Sequence, residues 1–241
     1  MKTVLKPSGE NSFWVDAFRD LVIVVVGILA ALWLESWWQD RQDRLEERQI
    51  LASLGEEFRV NAAELENRIQ TWQRVRQNRL DVHANMGGPV NDEVLASLEE
   101  ALQRSDVEAD ADSNGGYFFF DPRHGQLTSV INSGKLGLVS NRTLRAQIAD
   151  WPAMIEDHDW DEQAWIMHET NHIYSKARRY LAEWDDSRFT PRLAELHQDM
   201  EFDNSLRGSV ALLTLMINEG DAILEATNEI TQTINYELEA D

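Results

Sequence analysis

The string His168-Glu169-Thr170-Asn171-His172 carries the most chemistry per residue in this chain. On a helix, two His four apart share a face and can hold one Zn2+. The Glu between them then serves as general base for metal-assisted hydrolysis. The continuation of that motif is missing, because positions 175 and 178 are Ser and Arg. A third ligand would have to be Glu183, Glu195 or His197. Glu169 and His172 also match half of a di-iron bundle site, but the chain has no second E-x-x-H string. The plainer alternative is a polar helix face beside Trp165 and Tyr174.

A second constellation is Asp110, Asp112, Asn114, Gly115, Gly116 and Asp121. It follows the D-x-D-x-[DN]-G order of a calcium loop, with an acid at the twelfth position. Alternate oxygens point inward, Gly115 permits the sharp bend, and Gly116 offers its carbonyl. Asp121 is shorter than the usual bidentate Glu, and Tyr117 replaces an aliphatic residue. The alternative is a solvated acidic loop. If Ca2+ binds, the spacing predicts affinity in the range of about 10⁻³ M, below that of a sensor. A third feature is aromatic: Tyr117-Phe118-Phe119-Phe120 with Trp151, Trp160, Trp165 and Trp184. These either cement short helices onto a core or expose a patch for a protein partner or a second membrane contact. The chain has no phosphate-binding Gly loop and no G-x-S-x-G nucleophile turn.

The elements that must position these residues read as helices throughout. Leu51, Leu54, Phe58, Ala62, Leu65, Ile69 and Trp72 recur three or four apart, an amphipathic stripe on a helix from Gln39 to about Met86. Gly87-Gly88-Pro89 stops it, and Asn91 caps a short helix to about Arg104. Gln126 to Asn132 is a short helix closed by Gly134. Ser140 or Asn141 caps the next, which runs to about Trp184 and should kink or restart at Pro152. Thr190-Pro191 reads as a cap with Pro at the first helical position. The last helix starts near Asn204, with a seam of Leu206, Val210, Leu213, Ile217, Gly220, Leu224, Thr227, Thr231, Ile234 and Leu238. No strand pattern competes. The expected fold is an all-α bundle of three long helices plus short ones.

Ahead of the bundle, Leu21 to Leu34 (LVIVVVGILAALWL) carries no charge and is bracketed by Phe13 and Trp14, then Trp33, Trp37 and Trp38. Trp favours a membrane interface. From Trp14 to Trp37 a helix rises roughly 35 Å, close to bilayer scale. The aromatic, acidic exit Glu35-Ser-Trp-Trp is a poor signal-peptide cleavage site. The chain therefore divides into a tail at 1–18, a transmembrane anchor at 19–38, and an extramembrane bundle at 39–241. Lys2, Lys6 and Arg19 precede the span and Arg41, Arg44, Arg48 and Arg59 follow it, nearly a tie. A short basic tail before a first span usually stays in the cytoplasm. That places the bundle outside the inner membrane, in the periplasm.

The 22 basic and 43 acidic side chains leave a net charge of −21. That charge repels nucleic acid and anionic lipid surfaces. The absence of Cys excludes disulfides and thiolate metal sites.

Three stretches together resemble a family of bacterial single-span membrane proteins known only as a domain of unknown function. They are Asp20 to Trp38, Glu47 to Phe58 (ERQILASLGEEF) and Leu127 to Trp151. The family's SGxLxLI-type turn corresponds to Ser133-Gly134-Lys135-Leu136-Gly137-Leu138-Val139, ahead of a helix with the Leu144-Arg145 pair. Trp stands here where such proteins often have Asn after the span. The resemblance implies an anchored helical domain and supplies neither substrate nor catalytic residue.

The function expected first is therefore non-enzymatic. It is a binding or scaffold subunit of an inner-membrane assembly, contacting the bilayer through 19–38 and a protein partner or itself through the bundle, with Ca2+ as candidate ligand. The alternative is a membrane-tethered zinc hydrolase built on His168, Glu169 and His172.

Overall fold

The computed structural model describes residues 10–110, 119–181 and 190–240, with side chains described for all of these except 10–17 and 103–110. The described residues contain no strand, and the chain is all-α. The elements are α1 (Glu10–Ala84), α2 (Asp92–Asp110), α3 (Gly125–Asn132), a 3₁₀ turn (Lys135–Leu138), α4 (Arg142–His168), a π-helical turn (Glu169–Tyr174), α5 (Ser175–Tyr180), α6 (Leu193–Leu196) and α7 (Met200–Ala240). Two compact units divide between Ile50 and Leu51.

The first unit holds the apolar band. Leu21 to Leu34 lie on α1 with no residue buried, and Trp33 is 69% exposed. This helix is long and apolar enough to cross a membrane, with a mean hydropathy of 2.1 over its most apolar stretch.

The second unit is built on three helical seams. On α1 one buried row is Leu51, Leu54, Phe58, Asn61, Leu65, Trp72, Val75, Arg79 and Val82, with Ile69 and Thr71 buried beside it. The row is a continuous three–four alternation if half-buried Arg68 is counted. On α7 the matching row is Phe202, Leu206, Ser209, Leu213, Met216, Gly220, Ile223, Thr227, Ile230 and Ile234, with Ser205 and Ile217 buried beside it. Contacts fix the directions. Phe58 meets Trp151 edge-on at 5.3 Å, and farther along α1 Arg79 reaches Glu169, so α4 runs with α1. Trp151 Nε1 donates to Thr227 Oγ1 at 2.9 Å, and His168 bonds to the Ser205 carbonyl at 2.8 Å, so α7 runs against α4. Gly220 allows close packing where α7 crosses α1. A Cβ there would come within 3.0 Å of the Trp72 ring and 3.1 Å of Ile69.

One cluster of buried apolar side chains surrounds Trp72, including Leu65, Ile69, Trp165, Leu213 and Met216. Another closes the end of the bundle, where Leu98 of α2 and Leu196 of α6 pack with Val82, Ile173, Phe202 and Leu206. The segment from Phe119 into α3 returns along α1. Asn61 donates to the Arg123 carbonyl at 2.7 Å and accepts from the Arg123 N–H at 2.8 Å. Glu57 accepts from the N–H groups of Gln126 and Leu127, placing an anion on the α3 N-terminus.

Several sequence expectations shift. The α7 seam keeps Leu206, Leu213, Ile217, Gly220, Thr227 and Ile234 as buried positions, while Val210, Leu224 and Thr231 are half-buried and Ser209, Ile223 and Ile230, one residue before each, are buried, as is Met216. α7 starts at Met200 rather than Asn204, because Asp199 Oδ1 accepts from the N–H groups of Glu201 and Phe202. α4 passes through Pro152 without restarting, and the Pro152 ring lies on its exposed side. Asn141, rather than Ser140, caps α4 by accepting from Thr143 and Leu144. The Arg192 N–H is drawn to the Tyr180 carbonyl at 2.7 Å, so α6 begins at Leu193 and Pro191 stays outside it. α2 extends to Asp110.

Candidate functional site

The HETNH string falls at the change of winding between α4 and the π turn. His168 ends α4, and Glu169 to Tyr174 are wound as π-helix. Single π turns inside α-helices recur at functional sites. Here the wider turn buries both Glu169 and Ile173 and leaves His172 exposed.

The Glu169 carboxylate is committed inside the bundle. Its Oε2 accepts from Arg79 Nη2 at 2.8 Å. Its Oε1 accepts from Trp165 Nε1 at 3.2 Å and from the Ser209 hydroxyl. Arg79 and Glu169 are each 2% exposed at the side chain, so the pair is fully desolvated. Burial pulls the Arg79 pKa down, but Glu169, aided by Tyr174, outweighs it and holds the guanidinium above its ordinary range. One carboxylate thus ties α1, the π turn and α7 together. As a general base it would have to leave three donor side chains, a buried Arg among them.

His168 is half-buried. Its Nε2 meets the Ser205 carbonyl at 2.8 Å and therefore carries the proton. Gly208 makes room for it, since a Cβ there would lie 2.7 Å from His168 Cε1. The His168 and His172 rings lie 5.0 Å apart, tilted by 39°. Of the other ligands considered, Glu195 is paired with Arg192 at 2.9 Å. His197 is buried, with its Nδ1 against Gln198, and Glu183 lies outside the described residues. Among the described residues no three His, Asp or Glu groups converge on a metal position. Of the calcium-loop residues, Asp110 is the last residue of α2 and Asp121 is exposed. Asp112, Asn114 and Gly116 lie outside the described residues. The aromatic set divides: Trp151, Trp165 and Phe120 are core, whereas Trp160 is 69% exposed. Trp184, Tyr117 and Phe118 lie outside the described residues.

A second polar cluster, unannounced by any motif, surrounds His158. The ring is 1% exposed and packs against Trp72 at 5.2 Å. Its Nε2 stands 3.5 Å from Glu162 Oε1 and its Nδ1 3.5 Å from Glu219 Oε2. At that separation neither ring nitrogen makes a direct hydrogen bond. Glu162 also accepts from the Phe120 N–H at 2.9 Å. Burial would lower the His158 pKa, but the two carboxylates outweigh it and raise it above 6.5. Burial raises Glu162 against the opposing pull of His158 and the Phe120 N–H. Burial, then contact with Asp161, raises Glu219.

Arg79 lies two steps past Trp72 on the three–four spacing of α1, whereas Ser209 sits inside the α7 seam beside Val210, where spacing does not single it out. His158 falls on the α4 stripe of Leu144, Ile148, Trp151, Glu162 and Trp165, and nothing in its neighbours marks it as buried. Comparison with protein-family models, with curated proteins and with solved structures gives no match, so the site is read from its own geometry.

Proposed function

We propose that this chain is a single-span protein of the bacterial inner membrane whose helical bundle works in the periplasm as a non-enzymatic binding or scaffold subunit. The observation that carries this is the unpacked apolar band on α1, where Leu21 to Leu34 are all exposed. An exposed apolar surface of that extent is at home in hydrocarbon and not in water. The short basic tail with Lys2 and Lys6 supports retention of the N-terminus in the cytoplasm. The resemblance to anchored helical domains favours the same assignment.

The chemistry of the bundle favours binding over hydrolysis. The one carboxylate placed to act as a zinc-site base, Glu169, is held by Arg79, Trp165 and Ser209. The acidic loop from Asp110 to Asp121 is where Ca2+ would enter. The test is elemental mass spectrometry on protein purified gently from native membranes, with co-purifying proteins identified in the same sample. The expected result is no stoichiometric zinc and a constant protein partner. Zinc near one per chain, with hydrolytic activity lost in His172→Ala, would overturn the proposal.

A further inference from the structure

We infer that the outer face shared by α4 and α7 is the docking surface for a basic, amphipathic segment of a partner protein. This rests on the scaffold reading above and names its surface and the chemistry of its partner. On α4, Trp160, Ala164 and Met167 form one exposed stripe at four- and three-residue spacing, with Trp160 at 69% and Met167 at 64% exposure. On α7, Ala211, Leu215 and Ala222 are exposed on one flank. The His158–Glu219 and His168–Ser205 contacts set the register of these antiparallel neighbours, so Leu215 comes level with the Trp160–Ala164 turn. The two stripes thus border the same stretch of the α4–α7 seam. An exposed Trp at the centre of such a patch is the residue type that anchors protein interfaces.

The charge along that seam selects the partner. Asp161 follows Trp160, and Glu219 lies one turn from Leu215 with its Oε2 3.5 Å from His158 Nδ1. Behind them stands His158, buried, with both ring nitrogens and Glu219 Oε2 lacking a hydrogen-bond partner. Glu156 and Asp157 are exposed on the preceding turn. Acidic side chains beside an apolar stripe are complementary to a Lys or Arg flanked by aliphatic or aromatic side chains. An amphipathic helix laid into a groove presents that arrangement. A second copy of this chain, at −21, would bring like charge onto the same acids, and an anionic lipid surface would do the same.

The experiment is photo-crosslinking in cells carrying full-length protein with Trp160→p-benzoylphenylalanine, compared with Tyr236→p-benzoylphenylalanine at the exposed far end of α7. The expected result is one adduct, specific to position 160. Peptide mass spectrometry should place its attachment in a segment that is both basic and amphipathic. Its yield should fall by about tenfold when Asp161→Asn and Glu219→Gln are added. Attachment to a second copy of the chain, to lipid, or to a segment without Lys or Arg would overturn the inference, as would yields equal at 160 and 236. A partner that co-purifies undiminished with Trp160→Ala would overturn this surface and leave the scaffold assignment standing. Absence of any partner under native purification would remove both.

Discussion

Arg79 and Glu169 occupy seam positions that an apolar pair could fill, and their burial makes the cost of breaking them asymmetric. A buried ion pair adds little net stability over a well-packed apolar pair. Removing one partner strands a charge and costs on the order of 3–5 kcal/mol. Glu169→Gln should therefore lower the thermal midpoint sharply, and Arg79→Met combined with Glu169→Leu should restore most of it. A Glu169→Gln variant as stable as the parent would show that the pair does not hold the π turn in place. His158 makes the opposite kind of demand, one set by pH. Its folded pKa is raised above 6.5, so its contribution is fully present below pH 6.5 and is lost as pH rises through the folded value. Glu162 and Glu219 are raised above 4.5, so the fold favours their neutral forms and their contribution is also lost with rising pH. All three act in one direction. The melting temperature should fall as pH climbs above 6.5, and His158→Gln should flatten that part of the profile. A parent profile already flat there would contradict the clamp seen around the ring.

At the scale of elements, the segment from Phe119 into α3 is held to α1 by side chains from outside itself. Asn61 makes paired bonds to the Arg123 backbone, and Glu57 caps α3. Asn61→Ala should cost about 2 kcal/mol, from two lost bonds and the desolvated groups left behind. Hydrogen exchange across 119–132 should then speed up by roughly 30-fold while α4 and α7 stay protected. Uniform acceleration across the bundle would mean that the segment does not open on its own.

The element pattern was legible where one residue class decides it. The apolar stripe of α1, the Gly134 stop and the breaks around Gly87 all follow from local chemistry. Gly87 and Gly134 both take the positive φ of 73° that suits glycine. The phase of the α7 seam was less legible, because both candidate rows are apolar. Val210 and Leu224 match the spacing as well as Ile223 and Ile230 do, and Ile217 is buried beside Met216. Ser209 settles the choice, and it is buried because Glu169 from the π turn accepts its hydroxyl proton. That contact joins residues 40 apart and leaves no trace in the spacing along α7. The π turn was not legible either, since HETNH fits an ordinary α-helix.

For the whole molecule, the all-α class and the apolar N-terminal helix come directly from composition and periodicity. The reach of the candidate chemistry does not. The HETNH string had the right types and spacing for zinc. The bundle instead spends Glu169 on Arg79, a partner 90 positions away. Net charge acts at the same scale. Salt screens the attraction between a chain at −21 and a basic partner, so such a partner should bind more weakly as ionic strength rises.

On the function proposed above, α1 is a retained anchor and the bundle stands on the periplasmic side. The chain contains no Cys, so one exposed position on α6, Ala194→Cys, gives a single reporter. Intact spheroplasts should be treated with a membrane-impermeant maleimide and the labelled chain followed through fractionation. The expected result is labelling without permeabilisation, on a chain that stays in the membrane fraction after alkaline washing. Labelling only after permeabilisation, or a chain released by the wash, would contradict it.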